Sequence, residues 1–168
     1  MPLVPFSEIP DDARVWAFGS ASPVDSIDAA KLLALVDAYL LQWKAHGHPL
    51  TCARAWRDER FLVIAVDQRT EGASGCSIDG LFRALRGHEE AVGTSIVAGG
   101  LVFFRDGLGL VHALARDQFE SLAARGEVTA TTPVFDTTVT TAADYRARFE
   151  TEAGRSWHQS LLPGSPRR

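Results

Sequence analysis

The spacing of apolar residues changes period several times along the chain, and each change predicts an element. From Arg14 to Phe18 polar and apolar residues alternate, as in a strand. Pro2, Pro5 and Pro10 keep the preceding residues extended. After Ser22-Pro23, residues Leu32, Leu35, Val36, Tyr39, Leu40 and Trp43 recur at i, i+3, i+4, i+7, i+8 and i+11. That is one apolar stripe at helical period. Asp25 or Ser26 supplies its N-cap, and Gly47 and Pro49 end it. Leu50–Arg57 and Arg60–Asp67 read as two strands turning at Asp58-Glu59. The core of the second, FLVIAV, is apolar on both faces, which predicts an interior strand. A small-residue loop, Gln68–Cys76, then leads to a helix from Ser77 to Val92 with Leu81, Phe82 and Leu85 inward.

The order β-α-β-β-α, closed by a strand at Leu101–Phe104, predicts an α+β fold of the split βαβ, ferredoxin-like kind. Beyond it, Val102–Arg105 and Leu108–Ala113 flank Asp106-Gly107, the signature of a β-hairpin. A short helix at Asp117–Arg125 stops at Gly126, Thr129–Thr141 reads as extended, and Ala142–Thr151 as a last helix. The expected organisation is an α/β core over 1–98 and a C-terminal hairpin–helix extension over 99–162 packed on it. The tail 163–168, PGSPRR, is expected to be flexible.

Composition narrows the setting. A chain of 168 residues buries enough surface to fold without staples. No apolar run reaches the ~18 residues of a membrane helix. The opening MPLVPFSEIP lacks the basic and apolar regions of a signal peptide. Two cysteines, Cys52 and Cys76, form no disulfide framework, so a reducing cytoplasm is expected. A net charge of −4 argues against general nucleic-acid binding.

Several segments carry a resemblance together: IPDDARVWAF, LQWKAHGHPL, RFLVIAVDQ, ASGCSID, FRDG, TPVFDTTVTT and SWH. From about Phe6 to His158 they resemble an uncharacterised family of small bacterial proteins whose members are often labelled "ABC transporter ATPase". That label implies a phosphate loop, G-x-x-x-x-G-K-[ST]. The only lysines, Lys31 and Lys44, lie in no such setting, so nucleotide hydrolysis is not expected. Residues 101–138 also resemble bacterial GYF-like modules, which implies binding of extended or proline-rich peptides.

The candidate chemistry gathers on the loop 67–79. Cys76 lies where a helix begins, and free backbone amides and the helix dipole favour a thiolate there. A thiolate nucleophile wants a histidine and an orienting group, for which His46, His48 or His158 and Asp67 or Asp79 are candidates. The bland alternative makes Cys76 a small buried packing residue. Without the thiol, Ser74, Gly75 and Ser77 could aim amides and hydroxyls at an anion, with Arg60 supplying charge. An ordinary Ser77 cap explains the same residues. His46-Gly47-His48 offers two ligands, too few for a structural zinc site, and no metal or other cofactor is expected. Trp157 is expected to anchor the C-terminal segment. Two readings stand: a cytosolic binding or regulatory protein whose loop takes a small anionic ligand or a protein partner, or a small thiol-dependent or anion-binding enzyme using Cys76.

Overall fold

Six consecutive apolar residues, Phe61–Val66, need partners on both edges and cover on both faces. The computed structural model, which describes residues 2–69, 71–97 and 99–166, gives this strand both. Strands β1 (Arg14–Gly19), β2 (Lys44–Ala45), β3 (His48–Pro49), β4 (Cys52–Arg57) and β5 (Phe61–Val66) alternate with helices α1 (Ser26–Gln42) and α2 (Gly75–Val92). β5 is the middle strand of a three-stranded antiparallel sheet, order β1-β5-β4, and every residue in it is buried. Trp16 and Arg54 both pair with Ile64.

Local chemistry sets the boundaries. Asp25 caps α1, its carboxylate accepting from the amides of Ile27 and Asp28 at 2.9 and 2.8 Å. Asp58 and Glu59 are the central pair of the tight turn between β4 and β5, closed by Arg60 N–H donating to Arg57 O, and both have the positive φ (55° and 54°) such a turn requires. Leu62, Ile64 and Val66 meet Leu32, Val36 and Leu40 of α1 and Leu81 and Leu85 of α2 in one core. Leu35, expected inward, is instead 39% exposed, because α1 is apolar nearly all round and period alone does not choose its inner face.

A second unit has its own sheet. β6 (Leu101–Arg105), β7 (Val111–Ala115), β8 (Pro133–Phe135) and β9 (Glu150–Glu152) lie in the order β7-β6-β8-β9, all antiparallel. Helix α3 (Arg116–Ala124) adds Phe119 and Ala123 to a core with Val102, Phe104, Val134 and Leu161. Leu101–Phe104 therefore does not close the first sheet. It pairs with its hairpin neighbour β7, a local contact with little loop to close. The hairpin turn is also longer than Asp106-Gly107: Asp106 N–H donates to Leu110 O, and Asp106 Oδ1 accepts from the amides of Leu108 and Leu110.

Two other expectations change. The last helix, α4 (Ala142–Arg148), stops short of Thr151, because Glu150–Glu152 is recruited as β9 alongside β8. Thr129–Thr141 is extended only in part: Pro133–Phe135 forms β8, with turns on either side, and Thr129 and Thr132 bond each other through backbone and hydroxyl groups. By contact the chain divides into residues 1–98 with 138–146, and 99–137 with 147–168. Neither unit is contiguous, because residues 138–146 fall with the first. In the first, Val15 N–H donates to Thr140 O at 2.8 Å and Ala142 N–H to Ala13 O at 3.0 Å, pairing the outer edge of β1. Among the described residues no helix is long and apolar enough to cross a membrane.

Candidate functional site: the first turn of α2

The loop after β5 begins locked. Asp67 N–H continues the ladder to Thr51 O, and the Asp67 carboxylate is buried. It accepts from the Arg69 backbone amide and, through both oxygens, from the Arg69 guanidinium at 2.7–3.1 Å. Those bonds hold the Asp67 carboxyl below the usual carboxylate range. Asp67 thus serves its own turn, and no histidine is among these partners.

The N-cap of α2 is Ser74, three residues earlier than Ser77. Ser74 Oγ accepts from Ser77 N–H at 3.2 Å, while Ser77 Oγ–H donates to Ser74 O at 2.8 Å. Each serine hydroxyl thereby closes the helix start. Ser77 O also accepts from the indole of Trp43 at 2.9 Å, tying α2 to the end of α1. Gly75 and Cys76 are exposed in the first turn. The packing explanation of Cys76 therefore fails, and it passes to Cys52. Cys52 is fully buried, with its thiol pushed up to about 12 by burial.

Beside Cys76 is a depression of about 340 Å³, lined in part by Tyr39, Lys44, Cys76, Ser77 and Gly80. Gly80 shapes it: a Cβ there would stand 2.8 Å from the Tyr39 hydroxyl oxygen, so the absence of a side chain admits the phenol. Gly75, by contrast, has open space around it. Tyr39, Lys44 and Gly80 did not stand out in the sequence. The one available signal was a glycine at Gly80 inside a helical pattern, which often marks close packing. Burial raises the Tyr39 phenol above its ordinary value, an effect that the charge of Arg83 opposes.

The other candidates lie elsewhere. His46 and His48 sit exposed at the β2–β3 turn, and neither lines this depression. Arg60 stands at the opposite end of β5 from the loop, about 20 Å away at ~3.3 Å per strand residue. It is 5% exposed, and its guanidinium donates to Ser20 O and Ala21 O at 2.9 and 3.0 Å. It ties the loop after β1 and supplies no charge to residues 67–79. Asp79 is exposed and lines a different depression of about 440 Å³ with Phe82, Arg83 and Arg86.

The chain matches no family model, no curated protein and no solved structure.

His158 belongs to the second unit and to its core. Its ring is fully buried, stacks on Trp157 at 4.0 Å between centroids, and lies 6.3 Å from Phe119. Burial pushes it down to about 4, with the Asp136 carboxylate opposing and Arg116 adding to the effect. Nδ1 is 2.7 Å from Ser156 Oγ, and neither His158 Nε2 nor Trp157 Nε1 has a hydrogen-bond partner among the described residues. Ser156 is the cap of the closing 3-10 turn and accepts from His158 N–H at 3.3 Å. The Ser156–His158 contact thus builds the turn, and a ring this enclosed cannot reach a substrate in solvent. Trp157 is half-buried, with the Arg116 guanidinium 4.9 Å from its ring centre. A larger depression, about 760 Å³, is lined in part by Trp157, Ser156 and Leu161, and no residue of 67–79 is among its lining. No three His, Cys, Asp or Glu side chains among the described residues gather as a metal site would require.

Proposed function

We propose that this chain is a cytosolic binding or regulatory protein that works without catalysis, and that the first turn of α2 is its ligand- or partner-facing surface. One observation carries the reading: an exposed Cys76 beside a depression in which Lys44 and Tyr39 are the other chemically distinctive groups, with no imidazole among the lining residues. A positive charge, a phenol and a helix N-terminus suit a small anionic group or an acidic side chain of a partner. The internal bonds that occupy Asp67, Arg60, Ser74 and Ser77 weigh against a relay to the thiol. The alternative is a small thiol-dependent or anion-binding enzyme using Cys76, and the exposure of that thiol favours it.

Two architectural readings accompany the proposal. The three-stranded sheet with α1 and α2 on one face is read as a ferredoxin-like split βαβ lacking its closing strand. Residues 101–138 are read as a GYF-like module, as the resemblance implies. Membership of the bacterial family labelled "ABC transporter ATPase" is kept as a proposal about kinship, without the hydrolysis its label implies.

The test is a titration of the full chain with inorganic phosphate, followed by amide resonances. Shifts at residues 74–80 and at Lys44 are expected, and Lys44→Gln is expected to weaken them several-fold. Unmoved resonances there would sink the anion reading. Turnover of a thiol-reactive ester, lost in Cys76→Ser, would replace it with the enzymatic one.

A further inference from the structure

Helix α1 is less amphipathic than α2. Its inward residues Leu32, Val36 and Leu40 are buried, yet its outer surface is also apolar. Ile27 is 68% exposed, Leu35 39% and Leu41 50%, with Ala30, Ala34 and Ala38 exposed between them. At 100° per residue these six fall on one side of the helix, and the polar positions among them are Lys31 and Gln42. A helix apolar all round is ordinarily buried on all sides. Among the described residues, three of the five exposed large hydrophobic side chains lie on this face.

The face is symmetric about Ala34. Ile27 and Leu41 stand seven residues to either side, and Ala30 and Ala38 four to either side. We propose that α1 packs antiparallel on α1 of a second copy of this chain, about a two-fold axis at Ala34. Ile27 of each copy then meets Leu41 of the other. Ala30 meets Ala38, so the small side chains let the two backbones approach, and the two Leu35 side chains meet beside the axis. A two-fold interface requires one patch that complements itself, which this register supplies.

Charge selects the antiparallel direction. In a parallel pair the two Lys31 ammonium groups would face each other at one height, and the helix dipoles would align. In the antiparallel pair the lysines separate by about 9 Å along the axis, close to the screening length of physiological salt. Each keeps its own Asp28 at 3.0 Å, which offsets its charge within its own copy.

Area sets the strength. The face is about 25 Å long and 10 Å wide by helix dimensions, well under the roughly 800 Å² per partner of a standard stable interface. The pair is therefore a weak, concentration-dependent dimer, with a dissociation constant above about 1 µM.

Sedimentation of the full chain from about 5 to 500 µM, bracketing such a constant, is the first test. The mean mass is expected to climb from one chain toward two, and Leu35→Glu to hold it at one with an unchanged melting temperature. In a Cys76→Ser background, Ala34→Cys is expected to form an interchain disulfide on mild oxidation. Ile27→Cys alone is expected to form none, and Ile27→Cys with Leu41→Cys to form one readily. A chain monomeric throughout, or a dimer untouched by Leu35→Glu, overturns the proposal. An Ile27→Cys disulfide as fast as that of Ala34→Cys overturns the antiparallel register.

Discussion

Lowering the pH should destabilise the second unit through one residue, His158. In the native chain its imidazole is fully buried and pushed down to about 4, whereas an unfolded histidine titrates near 6.5. Between these values the unfolded chain binds a proton that the folded chain refuses. Stability present above pH 6.5 is therefore lost as pH falls toward 4, and no further loss from this group occurs below that. A displacement of roughly 2.5 units at 1.36 kcal/mol each amounts to about 3 kcal/mol, a large part of a typical domain's stability. The Asp136 carboxylate, which favours the charged ring, keeps the loss from being greater, and Arg116 acts the other way. The assay is urea unfolding at several pH values from 7 to 4, for the native chain and for His158→Gln. Glutamine keeps a polar side chain of similar size but cannot titrate. The native chain should lose about 3 kcal/mol more than the variant across this window, by the same linkage. Parallel curves, or a His158 ring resonance titrating near 6.5, would falsify the reasoning.

Other outcomes follow from the same geometry. Iodoacetamide should label exposed Cys76 in the folded chain and leave Cys52, buried with its thiol pushed up to about 12, until unfolding; equal rates would contradict this. Gly80→Ala should cost stability through the Tyr39 hydroxyl, yet in a Tyr39→Phe background it should stabilise by up to about 1 kcal/mol, the helix preference of alanine over glycine. Additive effects in that double-mutant cycle would mean the phenol does not press on α2. Removing residues 156–168 takes Leu161 and His158 out of the second core and should lower the melting temperature of that unit; an unchanged melt would make Trp157 a partner-facing residue. The purified chain should show no ATP hydrolysis above background, in keeping with the missing phosphate loop.

What could be read from the sequence was what neighbouring residues decide. FLVIAV announced a central strand because no other place suits six consecutive apolar residues, and Phe61–Val66 is the middle strand. Asp25 and Asp58-Glu59 fixed their cap and turn through short-range chemistry. Partner choice between distant strands is not encoded locally: nothing near Leu101–Phe104 shows that it joins the second sheet, and nothing near Glu150 and Thr151 shows that they pair with β8 instead of extending α4. At the candidate site the loop was visible, but its cap was misplaced, since Ser74 and Ser77 are equally good caps three residues apart. Tyr39 on α1 and Lys44 on β2 come to Cys76 only because α2 packs against both elements, which no local pattern encodes. His158 looked like a functional group on a tail because nothing in SWH tells that its ring is enclosed by Trp157 and Phe119.

The return of residues 138–146 to the first unit has a consequence for the order of synthesis. Until Thr140 and Ala142 have been made, the outer edge of β1 has no partner for Val15 N–H or Ala13 O. An unpaired strand edge beside an apolar sheet is a template for misassociation. A nascent chain is in that state for most of its translation, and any truncation ending near residue 98 stays in it permanently. Expression of the first ninety-odd residues alone should therefore yield aggregate. Co-expression with a peptide spanning 138–146 should recover soluble material if edge pairing is the cause.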